Sequence, residues 1–100
     1  MGTIVNSIRS TLAQHHLSKP IWNTETNWLP PFTLTSELGA AYLVLSMVLA
    51  RAAGLARFIW YQCDNHDGVT VEMVSRDNTA PTFVAEAFTR LQDWLTGNTL

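Results

Sequence analysis

The sequence predicts an α/β fold in which two βα units follow a leading helix. Three observations carry this reading. Residues 20–26 and 57–63 are short runs rich in aromatic and β-branched side chains, bounded by turn chemistry. A single apolar helical segment, residues 36–53, lies between them and can return the chain for a parallel pairing. Pro20, Gly54, Pro81 and Gly97 punctuate the elements.

Residues 5–17 read as an amphipathic helix. Val5, Ile8 and Leu12 share one face, with Arg9, Ser10 and Gln14 opposite. Thr3 or Asn6 is available as its cap, and Ser18-Lys19-Pro20 ends it, because the residue before a proline avoids helical geometry. The strand over 20–26 closes on Glu25, which sits between two threonines. A carboxylate at the carboxyl end of a buried strand is costly unless it has a task or a partner. Leu29-Pro30-Pro31-Phe32 forms a rigid loop suited to walling a site.

Thr35 or Ser36 caps the helix over 36–53, with Glu37 near its positive end and Gly54 as a left-handed stop. Its expected core stripe is Leu38, Ala41, Leu45, Val48 and Ala52. Leu43, Val44, Met47 and Leu49 fall outside that stripe, so the helix is apolar nearly all round and should be buried on nearly all sides. The strand over 57–63 is an almost continuous bulky run, as expected when both faces are buried. Alternation separates Phe58, Trp60, Gln62 and Asp64 from Ile59, Tyr61 and Cys63. Asp67-Gly68 makes a turn, and residues 69–74 alternate in a way that allows a short extra strand. The last helix, 81–95, places Pro81 in its first turn and gathers Val84, Ala87, Phe88, Leu91 and Leu95 on one side.

Bulk properties narrow the function. The 100 residues make one small domain or a piece of a larger one. Only 14% are charged and 47% are apolar, so part of the apolar surface is expected to meet another chain. A net charge of −2 with scattered basic residues argues against a nucleic-acid partner. Residues 1–10 lack the basic start and apolar core of a leader, and the 38–50 segment is too short to span a bilayer. A soluble chain of open localisation, with no membrane and no cofactor, is the expectation. Cys63 is the single cysteine and reads as a buried structural thiol. Trp22 and Trp94 read as core.

The run Pro20-Ile21-Trp22-Asn23-Thr24-Glu25-Thr26-Asn27-Trp28 resembles strand seven of the clan A retaining glycoside hydrolases, which are (β/α)8 barrels. In that clan a Pro-aliphatic-Trp-x-Thr-Glu-x-x-Trp run presents the nucleophilic glutamate. Arg57-Phe58-Ile59-Trp60-Tyr61-Gln62-Cys63-Asp64 resembles strand eight, and Ala80-Pro81 through Trp94-Leu95-Thr96-Gly97 resembles the last helix. The similarity spans nearly the whole chain but only the last quarter of a barrel of roughly 250 residues. It implies two βα units of a TIM-type partial barrel, with Glu25 as nucleophile. Relatives often carry tryptophan where Cys63 stands, which removes one stacking platform.

The candidate site follows from both lines. Glu25 is either the nucleophile or a strand-end carboxylate paired with an arginine. Trp28, Trp60 and Tyr61 offer rings suited to sugar C–H faces. Asp64 and Asn65, on the loop that the resemblance places at the sugar site, offer hydrogen bonds to hydroxyls or simply a polar turn. The family's acid/base, a glutamate after an asparagine, has no counterpart: Glu37, Glu72 and Glu86 are not nominated. Asp64, His66 and Asp67 match no strong metal signature, and the adjacent His15 and His16 diverge on a helix, so no metal is expected. The expected function is a retaining O-glycosyl hydrolase segment whose acid/base comes from missing strands or another chain. The alternatives are a catalytically inactive, self-associating βα protein and a sugar binder without turnover. A glycoside is the expected substrate. Copies are expected to form a homo-oligomer through open strand edges and apolar helix faces.

Overall fold

The computed structural model describes residues 1–27, 34–64 and 71–98. Its elements run α1 (Gly2–Gln14), β1 (Trp22–Asn23), α2 (Ser36–Ala52), β2 (Arg57–Phe58) and α3 (Phe83–Leu95). This is a small α/β chain in which two parallel strands are joined through α2, as two βα units require. Trp22 pairs with Arg57 and Asn23 with Phe58.

The strands are shorter than the expected 20–26 and 57–63, and the backbone bonds explain why. Ile21 O accepts from Ala56 N at 2.9 Å, Asn23 O from Ile59 N at 3.0 Å, and Thr26 O from Tyr61 N at 2.9 Å. From Ile21 to Asn23 is two residues while Ala56 to Ile59 is three; from Asn23 to Thr26 is three while Ile59 to Tyr61 is two. The register therefore steps once on each side of the paired residues. The chains stay hydrogen-bonded, but a regular ladder survives only at its centre.

Helix boundaries follow local chemistry. Nothing in the side chains caps α1; Thr3 and Asn6 lie inside the helix, and Met1 holds the cap position. The helix stops before the expected residue 17 because His16 adopts φ 54°. His16 N bonds to Ala13 O at 3.0 Å and Leu17 N to Leu12 O at 2.9 Å, the paired bonds of a Schellman stop. The same motif ends α2: Gly54, at φ 70°, donates to Arg51 O at 2.8 Å, and Leu55 N reaches Ala50 O at 3.0 Å. Thr35 caps α2, its Oγ1 accepting from Leu38 N at 3.3 Å. Pro81 is not in the first turn of α3. It precedes the cap Thr82, whose Oγ1 accepts from Ala85 N at 3.4 Å. A side-chain oxygen at the cap satisfies a free helix N–H, which proline cannot do.

The expected strand over 69–74 is corrected where it can be followed. Residues 69 and 70 lie outside the described residues. Val74 makes a single antiparallel bridge with Pro81, and Met73 N and Val74 N both bond to Cys63 O at 3.0 Å. Proline offers no N–H to extend the pairing. Thr82 Oγ1 donates to Glu72 O at 2.7 Å, tying this segment to the start of α3.

The core lies where α2, α3 and the 71–74 segment meet. Ala40, Leu43, Val71 and Val84 are buried together, with Met47, Trp60 and Phe88 packed around them. Gly39 matters here: a Cβ at that position would lie 3.2 Å from Val71 Cγ1, so its absence lets the segment close on the helix. The expected face of α3 is inward, with Val84 and Leu91 buried. The expected stripe of α2 is not: Leu38, Ala41, Leu45 and Ala52 are exposed and Val48 is half-buried, while Gly39, Ala40, Leu43 and Ala50 are buried instead. Trp22 (52% exposed) and Trp94 (69%) are also surface residues, and Cys63 is exposed. Trp22 sits on β1, whose outer edge is unpaired among the described residues, and carries Arg57 over its ring at 4.8 Å.

The body is elongated, 49 × 32 × 19 Å, with a radius of gyration of 15.2 Å where about 13 Å is usual for this length. Its accessible surface of 6995 Å² compares with about 5,700 Å² for a folded monomer of 11.2 kDa. Much apolar surface is left uncovered.

Two outcomes follow. Leu43→Ala removes a fully buried side chain and should lower stability by about 2–5 kcal/mol, measured by urea unfolding. In the 75–80 turn, hydrogen bonds from Ser75 and Thr79 hold the Asp77 carboxyl below the ordinary aspartate range. A depressed folded value means the turn's contribution is present above the unfolded value and is lost as pH falls through the folded one. An NMR titration should therefore place the Asp77 midpoint below that of aspartate in an unstructured peptide.

Candidate functional site

The carboxyl ends of β1 and β2 meet because the strands run parallel, and this end is where parallel sheets bind ligands. Beyond Asn23 the chain forms a side-chain-braced turn. Asn23 Oδ1 accepts from Glu25 N at 3.1 Å and from Thr26 Oγ1 at 3.0 Å. Asparagine closes such a turn by replacing a backbone acceptor with its own amide oxygen. This brace accounts for the extra residue on β1 and displaces Glu25 outward from the strand line.

Glu25 is consequently exposed, contrary to the expected carboxylate at the end of a buried strand. It is one wall of a cavity of about 300 Å³ formed with Thr26, Asn27 and Tyr61. It also borders a groove of about 500 Å³ between α1 and β1, lined by Ile4, Ile8 and Trp22 among others. Among the described residues the Glu25 carboxylate has no hydrogen-bond or ion-pair partner, so the arginine-paired alternative is not formed. A solvated carboxylate at a concave edge can accept hydrogen bonds from hydroxyls or attack an electrophilic carbon.

The other candidates divide. Tyr61 shares the cavity with Glu25. Trp60 points the other way: its ring packs on the core, and its indole Nε1 donates to Val71 O at 3.3 Å. Asn27 Nδ2 donates to the same carbonyl at 3.0 Å. Two donors from the two strand ends thus converge on one acceptor and fix the 71–74 segment beneath the site. Asp64 is half-buried, one residue beyond the exposed Cys63. Trp28 and Asn65 lie outside the described residues, as do the Leu29-Pro30-Pro31-Phe32 loop and Asp67-Gly68.

Sequence reasoning assigned no role to Asn23, Thr26 or Asn27. The available signal was the density of Asn and Thr in residues 23–27, which favours side-chain-to-backbone bonds over a continued strand. The Tyr61–Gln62 peptide is cis, and Gln62 Nε2 is a buried donor without a partner among the described residues. Another depression, about 280 Å³, lies at the amino end of β2 beside Arg51, Arg57 and Leu95, away from the strand ends that carry Glu25. Glu37, Glu72 and Glu86 line none of these three cavities. Among the described residues no group of three or more His, Cys, Asp or Glu could hold a metal ion. Among them too, no helix is long and apolar enough to cross a membrane.

Asn23→Ala should cost about 1 kcal/mol in urea unfolding, because two donors lose their acceptor. Amide exchange at Glu25 and Tyr61 should quicken in the same variant, since the step in register depends on the brace.

No protein-family model, curated protein or solved structure matches the chain.

Proposed function

We propose that this chain is a glycoside hydrolase-like segment of the retaining type, with Glu25 as the nucleophile. The reading rests on the sequence resemblance and on one observation: Glu25 and Tyr61, from the carboxyl ends of adjacent parallel strands, wall the same cavity. In this reading the two βα units are part of a TIM-type barrel whose remaining strands would flank β1 and β2. Glu25 attacks the anomeric carbon and forms a glycosyl-enzyme ester, while an acid protonates the departing oxygen. Water, activated by the conjugate base of that acid, then releases the sugar. The acid/base has to lie about 5–5.5 Å from Glu25 and comes from other strands or another chain. Tyr61 and Asn27 border the sugar, and Asp64 and Asn65 belong to the following loop.

A second reading has its own support. Among the described residues each strand has one unpaired edge, and Trp22 and Ile59 are exposed. A non-catalytic chain that associates with copies of itself through such edges and faces needs no acid/base. A sugar binder without turnover is the third outcome.

An aryl glycoside with a good leaving group needs little acid assistance, so it is the substrate to use. Wild-type chain should release the aryl alcohol, and Glu25→Ala should reduce release by about a hundredfold or more while circular dichroism stays unchanged. Equal hydrolysis by both proteins removes Glu25 from the reaction. Inactivity of both, with saccharide-dependent tryptophan fluorescence, selects binding without turnover; inactivity with an ordered oligomer selects self-association.

A further inference from the structure

The outward face of α2 has the pattern of a specific self-contact. Leu38, Ala41, Leu45, Leu49 and Ala52 recur every three or four residues, opposite the buried side that holds Gly39, Ala40, Leu43 and Ala50. All five are exposed, Leu45 by 51%. Within this chain α2 packs on α3 and touches α1 only lightly, so among the described residues the stripe is left without an internal partner.

We infer that this stripe pairs with α2 of a second copy, antiparallel, about a two-fold axis at Leu45. The inference rests on the self-association reading and names its interface. Two features select a second copy over another partner, and a third shows that surface is left to be covered. The first is size. In the antiparallel register centred on Leu45, Leu38 faces Ala52 of the second copy, Ala41 faces its Leu49, and Leu45 faces itself. Large residues meet small ones at each end, which lets two helices approach closely.

The second feature is charge. Glu37 and Arg51 are exposed, at opposite ends of α2 and on the same flank of the stripe. A two-fold axis brings Glu37 beside Arg51 of the second copy, and Arg51 beside its Glu37. Arg51 also donates to the Asn98 carbonyl, which holds its guanidinium at that end of the helix. A parallel pair would leave Glu37 and Arg51 of the two copies at opposite ends of the seam, with no opposite charge across it, so the charges favour the antiparallel direction. The third is the surplus surface: 6995 Å² exceeds the roughly 5,700 Å² of a typical monomer of this mass.

The 17-residue α2 is about 25 Å long, so the seam alone is a small interface of under about 1,200 Å² in total. The dimer should accordingly dissociate within the micromolar range.

Sedimentation velocity of the full chain, from low to high micromolar concentration, reads the equilibrium. Wild-type protein should shift from monomer to dimer. Leu45→Glu, which sets two carboxylates against each other on the axis, should weaken dimerisation by about tenfold or more with unchanged circular dichroism. Glu37→Arg should weaken it, and adding Arg51→Glu should restore it. In a Cys63→Ser background, Leu45→Cys should cross-link on oxidation, since the axis brings that position onto its copy. A dimer indifferent to Leu45→Glu overturns the α2 interface but leaves self-association through the sheet standing. A monomer at every concentration overturns both, and neither result touches the role of Glu25.

Discussion

The constraint on which the structure depends is the parallel pairing of β1 with β2. Parallel neighbours cannot be joined by a tight turn; the chain must travel back the length of the strand before it can pair. α2 makes that return journey. Once it does, both carboxyl ends lie at the same side, and Glu25 comes to share a cavity with Tyr61. The backbone bonds between the strands are few, each adding only about 1 kcal/mol net. Persistence therefore comes from the packing of α2 on α3 and on the 71–74 segment, where Leu43, Val71 and Val84 meet.

That packing is one-sided. Trp60 and Phe88 join the core with the helices, while Trp22, Arg57 and Ile59 remain exposed. Two strands are too few to curl into a closed surface, so the sheet keeps two edges and much of its apolar area. The same incompleteness underlies both functional readings. A nucleophile without an acid needs more protein around it, and uncovered strands and leucines need more protein over them. Whether that protein is another copy or other strands, the demand comes from the same geometry.

Asn23 shows how a site is made by interrupting a regular element. Its amide oxygen takes the Glu25 N–H, a donor that would otherwise be free to continue the strand, together with the Thr26 hydroxyl, and the resulting extra residue turns Glu25 away from the ladder. The carboxylate then faces solvent and two concavities instead of a neighbouring strand. Asn27 and Trp60 stiffen the other side by sharing the Val71 carbonyl. Neither bond is visible in a hydrophobic pattern, because each joins residues far apart in the chain.

The amino-acid sequence alone determined the order of elements, the cap at Thr35, the stop at Gly54 and the inward face of α3. Each depends on residues a few positions apart, where local backbone chemistry or a clear 3.6-residue period decides. The tertiary structure alone decided which side of α2 is buried. Apolar residues surround that helix, so periodicity is silent, and the choice fell to where Val71 could approach the Cβ-free Gly39. It also decided that Trp22 and Trp94 stay at the surface, that Cys63 is exposed, and that Glu25 leaves the strand. Side-chain type states what would be favourable to bury; only the number of neighbouring elements sets how much can be.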